Sequence, residues 1–98
     1  MPIDFDWDSS NRDHVAEHGV SPEEAEQVIS NEPFDREKQL RNDEERTVQL
    51  GVTDAGRILQ VVTTWRGPFL RVVTAFPANR KMRMLYERLK TESEESSS

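Results

Sequence analysis

Residues 47–76 read TVQLGVTDAGRILQVVTTWRGPFLRVVTAF, and their pattern predicts three strands of one sheet. In residues 47–53 apolar and polar side chains alternate, which predicts a strand with one buried face. Residues 58–65 are apolar on both faces, as in a central strand, and residues 69–76 form the last strand. The two intervening sequences are typical of tight turns, Asp54-Ala55-Gly56 and Arg66-Gly67-Pro68. We therefore expect an antiparallel meander, since strands that are neighbours in sequence tend to pair in space.

The amino-terminal segment predicts a short strand followed by a helix. Apolar residues alternate with aspartates at the start of the chain, at Ile3, Phe5 and Trp7. This period of two predicts a short strand with one apolar face. Asp8 or Ser9 would then cap a helix over about residues 10–18, and Gly19 would supply its left-handed carboxyl-terminal stop.

The residues between this helix and the meander predict a second helix and an edge strand. Ser21 and Glu24 have the spacing of a capping box, and Pro22 suits the first helical position. The helix should end near Asn31, before Pro33. Residues 34–40 are highly charged, so we expect them to form a weak strand at an edge of the sheet.

After the meander, the sequence predicts a final helix that starts at Pro77 and ends near Lys90. Its core stripe has helical spacing and consists of Met82, Leu85, Tyr86 and Leu89. Residues 91–98, TESEESSS, hold no apolar side chain, which predicts an acidic disordered tail. The whole pattern predicts an α+β fold in which residues 1–90 form a single compact domain, with the helices on one face of the sheet.

The composition limits the classes of protein that the chain can belong to. It has 98 residues, of which 34% are hydrophobic, and a net charge of −6. There is no cysteine, which excludes disulfides and thiolate metal sites. No apolar run approaches the length of a membrane span, and the acidic start is unlike a secretory signal. We therefore expect a small soluble cytoplasmic protein.

The acidic net charge hides an uneven distribution along the chain. Residues 1–35 carry ten acidic side chains and one basic side chain, whereas residues 36–90 carry twelve basic and six acidic ones. A net acidic chain is a poor first choice for a nucleic-acid binder. Because the basic residues lie in the predicted sheet and last helix, the net charge excludes little.

The two histidines, His14 and His18, lie four residues apart and so share one face of the first helix. Such a pair can hold zinc, but it needs a third ligand. The alternative is that His18 stabilises the carboxyl-terminal turn of its helix. We expect no metal and no other cofactor.

The basic residues of the meander and last helix are the main candidates for binding a polyanion. Arginine suits bidentate recognition of phosphate. Trp65 lies beside Arg66 at a hairpin end, where it can stack on a base. The alternative is that these arginines pair with the acidic helices of the same chain. The candidates are Arg57, Arg66, Arg71, Arg80, Lys81, Arg83 and Arg88.

Two segments carry motifs in a fixed order. Residues 5–26, FDWDSSNRDHVAEHGVSPEEAE, hold an F-x-W-D opening and then HGVS and EEA. The second segment holds Glu44-Glu45-Arg46, the turns noted above, Arg71-Val72-Val73-Thr74-Ala75, and Leu85-Tyr86-Glu87. Together they cover about residues 5–88 and resemble the BrnT-type toxins of bacterial and archaeal toxin–antitoxin modules.

The resemblance implies a RelE-like fold and a ribonuclease that arrests growth by blocking translation. It also implies a cognate antitoxin of the ribbon-helix-helix type that binds operator DNA. In a metal-independent cleavage, the ribose 2′-hydroxyl would attack the phosphate, held by Arg66, Arg80 and Arg83. Tyr86 would donate a proton to the leaving oxygen, or would simply pack in the core. The side chains expected to bind RNA are Arg57, Trp65, Arg71 and Lys81.

The sequence departs from the family pattern at three positions. Thr63 stands where members often have histidine, Phe76 where they often have arginine, and Met82 where glutamate is frequent. These departures favour an alternative, a RelE-like binding module of weak or no activity that acts through its antitoxin. The general base is also unassigned, and histidine is the residue type that ordinarily titrates near neutral pH.

Overall fold

The computed structural model of the chain describes residues 3–96. Its elements, in chain order, are α1 (Ser9–Glu17), α2 (Pro22–Ser30), β1 (Phe34–Arg41), β2 (Glu44–Val52), β3 (Ile58–Arg66), β4 (Phe69–Pro77) and α3 (Arg80–Ser96). The four strands form one antiparallel sheet in the order β1-β2-β3-β4. The predicted α+β class and the meander are confirmed. No helix among residues 3–96 has the length and apolar character needed to cross a membrane.

The first two helices are each capped at their amino-terminal end by a side chain that accepts a hydrogen bond from a backbone amide. At α1, Asp8 accepts from the backbone nitrogen of Asn11, and the Asn11 side chain accepts from the backbone nitrogen of Asp8. Ser21 and Glu24 make the same reciprocal pair at α2. Both caps are confirmed, because each satisfies amides that a helix leaves unpaired at its start.

The predicted amino-terminal strand is reduced to one isolated parallel bridge between Phe5 and Leu70. The backbone nitrogen of Asp6 donates to the carbonyl of Leu70 at 2.9 Å, and the nitrogen of Leu70 donates to the carbonyl of Asp4 at 2.9 Å. The pairing is this short because Asp8 turns the chain away from the sheet to cap α1. This segment nevertheless covers part of the outer edge of β4.

The last helix differs from the prediction at both ends. Pro77 is the final residue of β4, and α3 begins at Arg80 because the Asn79 side chain accepts from the backbone nitrogen of Met82. The helix also continues to Ser96, so residues 91–96 are helical where we expected disorder. Their sequence contains neither glycine nor proline and is rich in glutamate, which favours a helix. The rest of the predicted tail, residues 97–98, lies outside the described residues.

Two hydrophobic cores lie on opposite faces of the sheet. Helices α1 and α2 pack against Leu59 and Val61 of β3, whereas Tyr86 of α3 packs with Ile58 and Leu50. Because successive residues of a strand point to opposite faces, Ile58 and Leu59 mark the two sides. The expectation that all helices lie on one face is therefore wrong. The reason is that β3 is apolar on both faces and needs cover on each.

Candidate functional site

A small cleft beside α1 brings together three arginines and a histidine. It has a volume of about 260 Å³. We call it the arginine cleft, and it is lined by Ser10, Asn11, His14, Arg46, Arg66, Arg71 and Val73. Three guanidinium groups around one opening form a binding place for an anion, because their planar donors match phosphate and carboxylate oxygens.

The sheet and α1 fix the positions of these side chains. Arg66 lies at the end of β3, opposite Phe69, and Arg71 lies on β4, opposite Thr64. Helix α1 is tied to β4 by Asn11, which is only 2% exposed. The Asn11 side-chain nitrogen donates to the carbonyl of Asp6 at 2.9 Å and to the carbonyl of Val72 at 3.0 Å. This anchor places His14, one helical turn further on, at the cleft.

Glu44 holds two of the cleft arginines. Its carboxylate oxygens accept from Arg66 Nε at 2.9 Å and from Arg46 Nε at 3.1 Å. Burial acts to raise the pKa of Glu44, but the hydrogen bonds from Arg46 and Arg66 outweigh it, and the pKa is lowered. Glu44 is therefore an internal counter-charge that orients both guanidinium groups.

Arg71 is held by two aspartates of the amino-terminal segment. Its Nη1 lies 3.0 Å from Asp8 Oδ2 and 3.4 Å from Asp6 Oδ2, and its side chain is 14% exposed. Hydrogen bonds from Arg71 and from the Asn11 backbone lower the pKa of Asp8, and the bond to Asp8 raises the pKa of Arg71. Arg71 therefore fastens the amino-terminal segment to the sheet edge, in addition to lining the cleft.

Acid should weaken the fold through Asp8. Because its pKa is lower in the folded chain than in the unfolded chain, its stabilising contribution is present at neutral pH and is lost as the pH falls below about 4. Replacing Arg71 with glutamine removes the partner that lowers this pKa. We therefore expect the urea midpoint of the Arg71→Gln variant to fall less than that of the original chain between about pH 6 and pH 3. The exposed Arg41→Gln is the matched control, and equal acid responses of all three proteins would contradict this role.

The two histidines occupy different surroundings. Their ring centroids lie 5.6 Å apart, but only His14 lines the arginine cleft, whereas the His18 ring lies 5.9 Å from that of Phe76. No group of three histidine, cysteine or carboxylate side chains among residues 3–96 is placed to hold a metal ion. Among the residues that line the cleft, His14 is the one that carries an imidazole, a type of side chain that can move a proton in catalysis.

Sequence reasoning selected two of the four charged or titratable groups in this cleft. Arg66 and Arg71 were among the expected site residues, whereas His14 and Arg46 were not. From the sequence, His14 is a candidate only for a metal site or for the unassigned base, and Arg46 is only part of the motif Glu44-Glu45-Arg46. No sequence signal connects His14 with Arg46, because α1 and the start of β2 come together only in the folded chain.

The structure separates Arg80 and Arg83 from Arg66. These two arginines line a shallow depression with Met84, near the end of β4 that carries Pro77. Arg66 lies at the opposite end of β4, which is about 25 Å long. The three side chains therefore do not converge on one phosphate. Arg83 Nη1 instead donates to the carbonyl of Ala78 at 2.9 Å, close to the start of α3.

The remaining expected site residues lie in three further places. Tyr86 is 8% exposed and its ring meets that of Phe34 edge-on, so it is part of the second core. Arg57 donates to the carboxylate of Glu24 and to the carbonyl of Gly19, which occupies its guanidinium. Trp65 is 61% exposed on β3, next to Arg66. Lys81 lines a separate groove beside α3.

A comparison with protein-family models places the chain in a known family. A model described as "Ribonuclease toxin, BrnT, of type II toxin-antitoxin system" matches residues 7–81. The matched region runs from the start of α1 to the first turn of α3 and includes every residue that lines the arginine cleft. No curated protein matches the chain.

Proposed function

Because the chain belongs to the BrnT family of ribonuclease toxins of type II toxin–antitoxin systems, we propose that it cuts RNA in the arginine cleft and so inhibits translation. The observation that supports this location is the convergence of His14 with Arg46, Arg66 and Arg71. The cleft combines a group that can move a proton with groups that bind phosphate. In the proposal, residues 1–90 act as one toxin domain, and the end of α3 is an extension of it.

In the proposed reaction, the ribose 2′-hydroxyl is the nucleophile. His14 accepts its proton while the 2′ oxygen attacks the adjacent phosphorus. The bond from phosphorus to the 5′ oxygen breaks, which leaves a 2′,3′-cyclic phosphate and a 5′-hydroxyl end. The departing 5′ oxygen takes a proton from solvent. Arg46 and Arg66 would stabilise the negative charge that develops on the phosphoryl oxygens.

We propose that this cleavage needs no metal ion. The nucleophile belongs to the substrate, and three guanidinium groups supply the positive charge that a metal would otherwise bring to the phosphate. Within the part of the chain that the structure describes, the cleft presents cationic donors where a magnesium site would present carboxylate oxygens. The guanidinium groups of the cleft can therefore stabilise the negative charge on the phosphate directly.

The other expected RNA contacts fit this proposal to different degrees. Trp65 is exposed beside Arg66, so it can stack on a base next to the cut phosphate. Arg57 is engaged by Glu24 and would have to release it to bind RNA. Arg80, Arg83 and Lys81 would contact an RNA strand that continues to the far end of β4. Tyr86 is a packing residue in this proposal, because it is buried against Phe34.

A type II toxin is paired with a protein antitoxin. We propose that the antitoxin neutralises the chain in the cytoplasm and is of the ribbon-helix-helix type, so that operator DNA is bound through the antitoxin alone.

A second candidate function is a binding module with weak catalysis. The observation that favours it is the pairing of every cleft arginine with a carboxylate: Arg46 and Arg66 with Glu44, and Arg71 with Asp6 and Asp8. An RNA phosphate must compete with these internal partners. The three departures from the family pattern add no free polar group to the cleft. Thr63 is buried, Met82 packs in the second core, and the Phe76 ring lies beside that of His18.

Induction of the gene with and without its antitoxin separates the two functions. The ribonuclease proposal expects growth to stop and total RNA to be degraded when the toxin is made alone, and both effects to disappear when the antitoxin is made with it. Purified toxin should also cut RNA in buffer containing EDTA. Normal growth and intact RNA, at verified expression of folded protein, would contradict the enzyme and support the binding module.

A further inference from the structure

A groove of about 770 Å³ runs between α3 and β1, and none of its lining residues takes part in the proposed cleavage step, although Lys81 is a proposed RNA contact. We call it the α3 groove. It has an apolar part formed by Met82, Met84 and Leu85 and a basic part formed by Arg36, Lys81 and Arg88. It shares no lining residue with the arginine cleft. The two places can therefore be altered independently.

The apolar part is open to solvent along one face of α3. Lys81, Met84, Leu85 and Arg88 have the spacing of neighbours on a helix surface, three or four residues apart. Met84 is 63% exposed, so a partner in the groove could cover a long apolar side chain. Methionine side chains are flexible and adapt to the shape of a partner. This face suits an apolar anchor from another protein.

The cations of the groove differ from those of the cleft. Each cleft arginine has a carboxylate partner, whereas no carboxylate among residues 3–91 forms an ion pair with Arg36, Lys81 or Arg88. Arg36 is hydrogen-bonded to the neutral amide of Gln60. The groove therefore keeps its positive charge, and a negatively charged partner would complement it.

The described tail of the chain cannot supply that partner. Residues 91–96 continue α3 as one helix, so they lie beyond Arg88 along the same axis. A continuous helix cannot fold back onto its own face. An acidic segment of a separate molecule would complement the groove.

We propose that the α3 groove is the docking site for an acidic amphipathic helix of the cognate antitoxin, whose apolar side chains pack on Met82, Met84 and Leu85. The identity of the partner rests on the proposed function, because it assumes that the chain acts with an antitoxin. A helix laid in a groove recognises its target through apolar anchors with charges on either side, which matches the arrangement here. Because the groove and the arginine cleft share no lining residue, a helix bound in the groove would not itself fill the cleft.

The test measures the affinity of the full chain for the antitoxin encoded in the adjacent reading frame, by titration calorimetry. Met84→Asp and Arg88→Glu should each weaken binding by about 10-fold or more, because they remove an apolar anchor and reverse a complementary charge. The matched controls are Leu40→Asp, which changes an apolar side chain that is 72% exposed on β1, and Lys90→Glu on α3. Both controls lie outside the groove and should change the affinity by less than about 2-fold. Circular dichroism melting should show that all four variants fold.

Equal affinities for the groove variants and their controls would overturn the proposal, and so would a failure of the antitoxin to bind the original chain. Sedimentation of the chain alone should show a monomer. A dimer that Met84→Asp dissociates would assign the groove to a second copy and would also overturn the proposal. RNA cleavage is measured separately. Groove-dependent binding in a chain without ribonuclease activity would support the docking site while contradicting the proposed enzyme.

Discussion

Replacing His14 with alanine should lower the rate of RNA cleavage by the purified toxin by about 10²- to 10⁴-fold, which is the usual contribution of a general base. The reason is that His14 is the histidine that lines the arginine cleft, where it would take the proton of the 2′-hydroxyl. The measurement is single-turnover cleavage of an end-labelled RNA, with toxin in excess over RNA. The affinity for uncut RNA should change far less, because Arg46 and Arg66 remain.

His18→Ala is the matched control for this prediction. It removes the same type of exposed side chain at the residue directly after α1, with its ring centroid only 5.6 Å from that of His14. Because His18 lies against Phe76 and outside the cleft, its removal should leave the cleavage rate within about 3-fold of the original. Equal losses in the two variants, or no loss in His14→Ala, would contradict the assigned role.

The second large effect is on stability. Asn11→Ala should lower the free energy of unfolding by about 3 kcal/mol, since three hydrogen bonds of a buried side chain are lost at about 1 kcal/mol each. Asn11 donates to the carbonyls of Asp6 and Val72 and accepts from the backbone nitrogen of Asp8. The substitution thus removes the link between the amino-terminal segment, α1 and β4. Urea unfolding followed by tryptophan fluorescence gives the change.

Asn11→Asp shows which of these bonds matter. The aspartate keeps the acceptor that faces Asp8 but loses both donated bonds, and it places a carboxylate against two carbonyl oxygens. It should therefore be at least as destabilising as alanine at neutral pH. Ser10→Ala, at the neighbouring position where the side chain is exposed, serves as the control and should change stability by less than about 0.5 kcal/mol. A small effect of both Asn11 variants would show that α1 is held to the sheet by apolar packing alone.

Much of the fold follows from local sequence signals. The alternation in residues 47–53, the turn at Asp54-Ala55-Gly56 and the capping box of Ser21 and Glu24 each specify a feature through neighbours in sequence, and each is confirmed. The errors occur where a non-local contact competes with a local signal. Pro77 looked like a helix start, but it pairs with Leu59 at the end of the sheet, and Asn79 caps α3 instead.

The candidate site was less predictable, because it joins residues that are far apart in the chain. His14 and Arg71 are separated by most of the chain, and no spacing rule connects them. The charge count left two alternatives open, that the later arginines bind a polyanion or that they pair with acidic residues of the same chain. The structure shows which ones do, with Asp6 and Asp8 on Arg71 and Glu24 on Arg57.

The antiparallel meander also affects the folding rate of the toxin. Each strand pairs with the strand that follows it, and the connections between strands are only two to five residues long. Short loops cost little entropy to close, and local pairing favours rapid folding for a sheet protein. A newly synthesised chain should therefore reach its folded shape soon after it leaves the ribosome. If an antitoxin neutralises the toxin as proposed, it would have to be present already when the toxin folds.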